Sequence, residues 1–173
     1  MKRIIIVALV LAWSLPATAQ TPHVADNVPP DQPFTSGASD TIRVEEAIKP
    51  YVEKARRSYP DAKKRFLAGL PAKHSFFVTT RLRDEKGNFE QVFIAVESID
   101  EGHITGRIWS HVLGAKGYKY GDRYTFPESQ LIDWLITRPD GSEEGNFVGN
   151  FLDEYQKTVT QGATQRGGAP DRR

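Results

Sequence analysis

The pattern that most constrains the fold begins at His74, where apolar residues start to alternate with polar ones. Alternation has the period of a β-strand, whose side chains point to opposite faces of a sheet. Three such segments follow one another, separated by "DEKGN" and "DEG", which have the composition of tight turns. Their aligned positions are Phe76, Val78, Thr80 and Leu82, then Val92, Ile94 and Val96, then Ile104 and Ile108. They predict three antiparallel strands in a meander.

Two further segments extend this pattern. "YKYGDRYTFPES" predicts a turn at Gly121 and Asp122 and a short strand over 123–126. "SQLIDWLITRPDG" fits either a helix face or a buried strand, because its apolar run has no clear period. Only about ten residues separate Pro127 from the turn at 138–141, and β-branched and aromatic residues are well represented, which favours a strand. Apolar residues on both of its faces predict a central strand.

Helical periodicity occurs on both sides of the strands. In "TIRVEEAIKPYVEKARRSY" the apolar residues fall on roughly one helical face, with charged residues opposite. Pro50 lacks the amide that a helix interior requires, so the helix is expected to kink or restart there. A second, short helix is expected to begin at Pro60 and to stop between Gly69 and Pro71. A closing helix is predicted by Phe147, Val148, Phe151, Leu152 and Tyr155.

The first 19 residues have the parts of a secretory signal peptide. Lys2 and Arg3 precede an apolar run from Ile4 to Trp13, which is too short to cross roughly 30 Å of hydrocarbon. The small residues at 17–19 predict cleavage after Ala19. The mature protein is therefore expected to be periplasmic or secreted, without a membrane span.

The composition of the rest of the chain predicts a linker, one domain and a tail. Residues 20–40 contain four prolines and predict a disordered linker, and the Gly-, Gln- and Arg-rich residues 159–173 predict a disordered tail. A single globular domain is expected over 41–158. The chain has no cysteine, which excludes disulfides, a lipid-attachment cysteine and thiolate chemistry.

Charge limits the partners. Removing Lys2 and Arg3 from the 23 basic residues leaves 21 against 22 acidic ones. A mature charge of about −1 argues against nucleic acid and anionic membranes, which require a concentrated basic surface.

Several short motifs resemble the YegJ-like bacterial domain of unknown function. They are "FFVTTRL", "GNFEQVFIAV", "ITGRI", "YGDRYTF", "LIDW" and "GNFVGNF", and the similarity spans about residues 44–152. The chain departs from that family at Phe93, where an aromatic such as Trp is usual, and near Trp109-Ser110, where a small polar residue precedes Pro. The resemblance implies an α+β domain with a curved antiparallel sheet, and it supplies no established activity or catalytic residue.

The expected fold is therefore α+β, with N-terminal helices packed on a curved antiparallel sheet and a short C-terminal helix. The sheet is expected to have about five strands, and its curvature could make it barrel-like. Gly106, within "ITGRI", and the turn residues Gly121 and Asp122 are expected to have structural roles.

Asp133, inside the apolar run, has two interpretations. Burial of a carboxylate costs several kcal/mol unless it is hydrogen-bonded or paired. As a functional group it would be a general acid or base with a pKa raised by desolvation. As a structural group it would accept backbone amides or pair with Arg81, Arg107 or Arg123. Because a single acid without a nucleophile defines no reaction, the structural role is favoured, with Trp134 packed as core.

The loop "GAKGYKYGDRY" is the candidate binding site. Tyr118, Lys119, Tyr120 and Arg123 place aromatic rings beside cations, a combination that binds glycans or peptides by stacking and hydrogen bonding. The alternative is a solvated hairpin whose tyrosines pack on the end of the domain. Its glycines form no phosphate-binding motif, because neither GxxxxGK nor GxGxxG opens a helix here.

Two arginines share one face of the first predicted strand. Arg81 and Arg83 could bind an anion, but pairing with Glu90 or Glu97 on the adjacent strand is the simpler interpretation.

The histidines do not predict a metal site. His103 and His111 would share a strand face, but roughly 26 Å would separate them along a continuous strand. His23 falls in the predicted linker, and His74 opens the first strand. No metal and no cofactor are expected.

These features predict an exported, non-enzymatic module that binds a protein or an envelope polymer. One alternative is a small hydrolase or isomerase using Asp133, and another is a structural accessory protein of the envelope. Asp133→Asn separates them: a catalytic residue loses turnover with the fold intact, whereas a structural one loses several degrees of melting temperature.

Overall fold

The computed structural model describes residues 38–166, with side chains described over 43–158. The predicted signal peptide, His23, residues 20–37 of the predicted linker and residues 167–173 of the predicted tail lie outside the described residues.

A single helix, α1 (Ala38–Ala68), forms where two helices were predicted. The predicted restart at Pro50 and the separate helix at Pro60 were wrong, since both prolines lie inside α1. Each proline removes one backbone hydrogen bond, but the apolar stripe keeps its phase across both of them. Packing along its whole length stabilises a helix that these residues would interrupt in isolation. The buried stripe consists of Val44, Ile48, Ala55, Tyr59 and Ala62.

Six strands form one antiparallel sheet in the order β4-β3-β2-β1-β5-β6. The strands are β1 (Ser75–Arg83), β2 (Phe89–Asp100), β3 (His103–Ile108), β4 (Arg123–Pro127), β5 (Asp133–Thr137) and β6 (Glu143–Gly145). A 3-10 turn, Glu128–Gln130, precedes β5, and helix α2 (Phe147–Arg166) follows β6. The first three strands form the predicted meander.

The α+β prediction is confirmed, and the details differ. The sheet has six strands, one more than the predicted five. The missed strand is β6, which is three residues long and has no alternating apolar pattern in the sequence. The sheet is open, not barrel-like, since β4 and β6 lie at opposite ends of the strand order. β5 pairs on both sides but lies next to the edge, so β1 and β2 are the central strands. Both helices extend beyond the predicted domain, residues 41–158, because α1 begins at Ala38 and α2 continues to Arg166.

Buried side chains form three clusters. The largest lies between α1 and one face of the sheet, and Trp134 belongs to it at 3 % exposure. Its indole Nε1 donates to the Ala55 carbonyl at 3.2 Å and to Ser58 Oγ at 3.0 Å, which ties β5 to α1. A second cluster joins α1 to α2 around Ile132. The third consists of Phe77, Ala95 and Leu135, with Phe93 and Trp109 packed against it.

The turn at Gly121 and Asp122 closes the long connection between β3 and β4. Gly121 has a φ of +85°, a left-handed conformation that glycine adopts without strain. Its amide donates to the Ile108 carbonyl at 2.8 Å, and the Ile108 amide donates to the Asp122 carbonyl at 2.9 Å. Asp122 Oδ2 accepts the Lys119 amide at 3.0 Å. The turn therefore joins the end of β3 to the start of β4.

Candidate functional site

Asp133 is 1 % exposed and lies where β5 meets the N-terminus of α2. One carboxylate oxygen accepts the Trp134 amide at 2.8 Å, and the other accepts the Val148 amide at 2.6 Å. Burial raises the pKa of Asp133 to about 6, although hydrogen bonds from the amides of Val148, Trp134 and Gly149 act in the lowering direction. The carboxylate thus satisfies a first-turn amide of α2 from another element, as a capping residue does.

The cations considered as partners of this carboxylate bind other acids. Arg107 Nε lies 3.0 Å and Arg123 Nε 2.9 Å from the two oxygens of Glu97. Arg81 pairs with Glu45 of α1, so the prediction that it pairs with a glutamate of the adjacent strand was wrong. The structural alternative for Asp133 therefore takes the form of amide capping, not of an ion pair.

A groove with a volume of about 780 Å³ lies between the first half of α1 and the sheet. One wall is α1, and the facing wall comes from β1, with contributions from β4 and from the segment before β5. The lining residues are Glu45, Glu46, Ile48, Lys49, Val52, Glu53, Arg56, Thr80, Arg81, Arg83, Tyr124, Gln130 and Ile132. The Asp133 carboxylate is not among them. The groove is large enough to hold a small ligand.

The carboxylates of the groove all lie on α1 and all have cationic neighbours. Glu46 Oε2 lies 2.6 Å from Lys49 Nζ, and Glu53 Oε2 lies 3.8 Å from Arg57 Nη1 outside the groove. Glu45 bonds to Arg81, which brings α1 and β1 together. The acidic side of the groove is therefore largely neutralised within the fold.

The cations of the groove are less completely paired. Arg56 donates from Nε to the Leu131 carbonyl at 2.9 Å and from Nη2 to the Ser129 carbonyl at 3.4 Å, and both acceptors are uncharged. Arg83 forms no ion pair with any described side chain, and its guanidinium lies over the Phe89 ring at 5.4 Å from the centroid. Two positive charges of the groove thus have no carboxylate partner among the described residues.

Arg81 adds an unused donor. Its Nε is buried and has no hydrogen-bond acceptor among the described residues. Its guanidinium lies over the Phe89 ring at 5.0 Å from the centroid, and the Arg83 guanidinium lies over the same ring at 5.4 Å. Phe89 is 40 % exposed and is not itself among the residues that line the groove. A buried N–H without an acceptor is costly unless a bound molecule supplies one.

The loop residues predicted to bind a partner do not form one site. Tyr118 donates to the Arg83 carbonyl at 3.1 Å, and its ring packs edge-on against Tyr124 beside the largest core cluster. Tyr120 is 39 % exposed and instead packs against Trp109, with ring centroids 5.1 Å apart. The two tyrosines therefore contact different clusters of the core.

The two cations predicted to bind there, Lys119 and Arg123, also differ in their contacts. Lys119 is exposed, whereas Arg123 is held by Glu97. Among the four predicted residues, Lys119, Tyr120 and Arg123 are exposed, and only Tyr118 is partly buried. This favours the interpretation of the loop as a solvated hairpin.

The loop between β3 and β4 is held by carboxylates that the sequence did not single out for this role. Glu90 accepts three successive amides, those of Leu113, Gly114 and Ala115, at 2.6 to 3.1 Å. Asp84 accepts the Lys116 amide at 3.3 Å. Every residue except proline carries an amide, so no residue pattern could have revealed these contacts.

The histidines have local contacts. The ring Nδ1 atoms of His74 and His103 lie 3.2 and 3.1 Å from backbone carbonyls two residues earlier. His111 lies against Tyr120, with ring centroids 6.0 Å apart. Over residues 38–166, no group of three His, Asp or Glu side chains is arranged to hold a metal ion.

The described residues also contain no helix with the length and apolar character needed to cross a bilayer. Their architecture defines a small α+β protein with an open, six-stranded antiparallel sheet. More particularly, the chain belongs to a family of uncharacterised proteins conserved in bacteria, DUF2314, whose model matches residues 45–161. The match covers most of the described fold and agrees with the expected bacterial domain of unknown function. Neither the curated proteins nor the solved structures that were compared with the chain include a match.

Proposed function

We propose that the protein is an exported, non-catalytic binding module of the YegJ-like kind, whose ligand occupies the groove between α1 and β1. The observation that carries this proposal is the groove, with its volume of about 780 Å³ and its mixture of apolar and charged lining residues. Ligand sites commonly have volumes of roughly 300–1,000 Å³ and combine apolar walls with a few convergent polar groups. The partner would be a periplasmic protein segment or a fragment of an envelope polymer.

The alternatives have less support. A hydrolase or isomerase using Asp133 requires the carboxylate to reach its substrate within hydrogen-bond distance. Both of its oxygens accept backbone amides, and the residue lines no part of the groove. A structural accessory protein of the envelope would need no groove with unpaired cations.

Export is the first testable part of the proposal. In bacteria that express the whole chain, we expect the periplasmic fraction to contain a protein that begins at Gln20, as measured by mass and N-terminal sequencing. Replacement of Leu9 and Leu11 by arginine interrupts the apolar run, so the unprocessed chain should stay in the cytoplasm. A full-length chain confined to the cytoplasm without these substitutions would contradict export.

The groove is the second testable part. Gln130 is exposed and lines the groove, so Gln130→Trp should block it without disturbing the core. The preceding Ser129 is also exposed but lies outside the lining, which makes Ser129→Trp the matched control. We expect a defined library of amide-capped tripeptides to shift backbone NMR signals around the groove in the wild type and in the control. Gln130→Trp should abolish these shifts.

Two outcomes count against the groove. Shifts that cluster at residues 118–123 and persist in Gln130→Trp would assign binding to the loop instead. The absence of shifts at millimolar concentrations of every peptide would contradict the proposed peptide-binding groove.

A further inference from the structure

We infer that the groove binds a ligand that carries carboxylate groups on an apolar body. This inference rests on the proposed binding function and adds the chemical class of the ligand. It follows from the distribution of unpaired positive charge, because the groove has one guanidinium without a carboxylate partner on each of its two walls. The two are Arg56 on α1 and Arg83 on β1.

The guanidinium on the helix wall is fixed in position but not neutralised. Arg56 is oriented by the carbonyls of Leu131 and Ser129, at 2.9 and 3.4 Å. Carbonyl acceptors satisfy N–H donors without cancelling a full charge, so the positive charge persists at the groove. An anion that reaches this group meets a donor that is already oriented, which reduces the entropy lost on binding.

The guanidinium on the strand wall belongs to a pair. Arg81 and Arg83 lie two residues apart on β1, so their side chains share one face of the strand. Only Arg81 has a carboxylate partner, Glu45, and its buried Nε still lacks an acceptor among the described residues. Phe89 lies under both guanidinium groups and limits their orientations. A carboxylate placed here would neutralise Arg83.

The apolar part of the ligand follows from the side chains between these cations. Ile48, Val52 and Ile132 line the groove, with the ring of Tyr124. Ile48 and Ile132 are almost fully buried, so the apolar surface that a ligand can cover belongs mainly to Val52 and Tyr124. Its removal from water would favour a ligand with an aliphatic or aromatic portion, by about 25 cal/mol for each Å² of apolar surface buried.

The charge balance favours carboxylate over phosphate. Each wall has one guanidinium without a carboxylate partner, and each can neutralise one negative charge. A phosphate monoester concentrates about −1.5 to −2 charges on one group, so at either wall it would exceed the charge of the single unpaired guanidinium there. A carboxylate carries a single charge and accepts two parallel hydrogen bonds from one guanidinium. A ligand with two carboxylates matches both walls.

The test compares two peptides of the same size. Acetyl-Glu-Leu-Glu-amide carries two carboxylates, and acetyl-Gln-Leu-Gln-amide replaces both with neutral isosteres. By calorimetry at low salt, we expect the acidic peptide to bind the protein and the neutral one to bind at least about tenfold more weakly. Arg83→Gln and Arg56→Gln should each weaken binding of the acidic peptide about tenfold, since each removes one charge-assisted contact.

Controls separate a charge effect from loss of folding. Arg107→Gln removes a positive charge outside the groove and leaves Arg123 paired with Glu97, so it should not change the affinity. Arg56→Gln removes a hydrogen bond to Leu131 and could weaken the fold, so its melting temperature must be compared with the wild type. Arg83 makes no side-chain hydrogen bond to described residues, which makes Arg83→Gln the cleaner variant.

The outcomes distinguish this inference from the proposed function. Equal binding of both peptides, lost in Gln130→Trp, would overturn the carboxylate preference and leave the groove as the binding site. Unchanged affinity in Arg83→Gln, or no binding of the acidic peptide at millimolar concentration, would also overturn the inference. Inorganic phosphate that displaces the acidic peptide at lower concentration than acetate does would overturn the choice of carboxylate.

Discussion

Replacement of Asp133 by alanine is expected to lower the free energy of unfolding by about 3 kcal/mol at pH 5, which corresponds to roughly 10 °C in melting temperature. The physical reason is the loss of two acceptors at a buried point. Without the carboxyl group, the amides of Trp134 and Val148 lose the oxygens that lie 2.8 and 2.6 Å from them and have no other acceptor in their place. Each unsatisfied buried amide costs roughly 1–3 kcal/mol. Urea and thermal denaturation measure the difference.

The matched control is an exposed acid on the helix that Asp133 caps. Asp153 lies on α2 and is exposed, so Asp153→Ala should change stability by less than about 0.5 kcal/mol. In Asp133→Asn, one oxygen remains but the amide nitrogen faces a backbone N–H, so this variant should also be destabilised. A melting temperature of Asp133→Ala within about 2 °C of the wild type would refute the capping role.

Asp133 should also make stability depend on pH. Burial raises the pKa of its carboxyl from 3.8 to about 6 in the folded state, so the protonated form is favoured there. The stabilisation is complete below about pH 3.8 and is lost as the pH rises through about 6. The pKa difference corresponds to about 3 kcal/mol. We therefore expect the stability difference between the wild type and Asp133→Asn to be larger at pH 4.5 than at pH 7.5; an equal difference would contradict a raised pKa.

Replacement of Gly106 by alanine is expected to cost about 3 kcal/mol, comparable to the loss of Asp133. A Cβ at this position would lie 2.2 Å from the carbonyl oxygen of Ala95 and 2.7 Å from Cγ2 of Ile94. Gly106 pairs with Val96, and the β2–β3 register shifts between Val96 and Ser98. Because the nearest atom belongs to the backbone, no rotamer change relieves the contact, and the two strands must separate. Urea denaturation and hydrogen exchange of the β3 amides measure the loss.

Gly121→Ala provides the comparison that isolates this steric effect. A Cβ at Gly121 meets nothing within 4 Å, and its φ of +85° is the only obstacle. Left-handed backbone costs a residue other than glycine about 1–2 kcal/mol. Equal losses in Gly106→Ala and Gly121→Ala would contradict the close approach of β2 and β3 as the reason for glycine at position 106.

Much of the fold could be predicted because its signal is periodic. The strands of the meander and the closing helix each carry apolar residues at a regular spacing in the sequence, and Trp134 lies in the core as expected for an apolar strand. The prolines misled the prediction at α1 because their cost is local, whereas the packing that overrides it runs along the whole helix. β6 has no apolar period because it is a short edge strand.

The candidate site could be predicted only in part. Anion binding by the arginines of β1 was considered from their shared strand face, although pairing with Glu90 or Glu97 was preferred, and one of them lacks an ion pair among the described side chains. The loop around Tyr118 and Tyr120 was given more weight because its composition is distinctive. Composition does not show which ring is turned into the core, and Tyr118 and Tyr120 contact different clusters.

The local sequence pattern was sufficient to predict the class of fold and the order of most elements, since both depend on the spacing of apolar residues. It also predicted that Asp133 needs a partner, because burying a charge without one is costly. The identity of that partner, the pairing of Arg81 with Glu45 and the groove itself came only from the tertiary structure. The contacts join positions 15 and 36 residues apart in the chain. Asp133 binds a backbone amide, which every residue type but proline offers, so its partner has no sequence signature. The Arg81 pair and the groove depend on how α1 lies against β1, which no local spacing specifies.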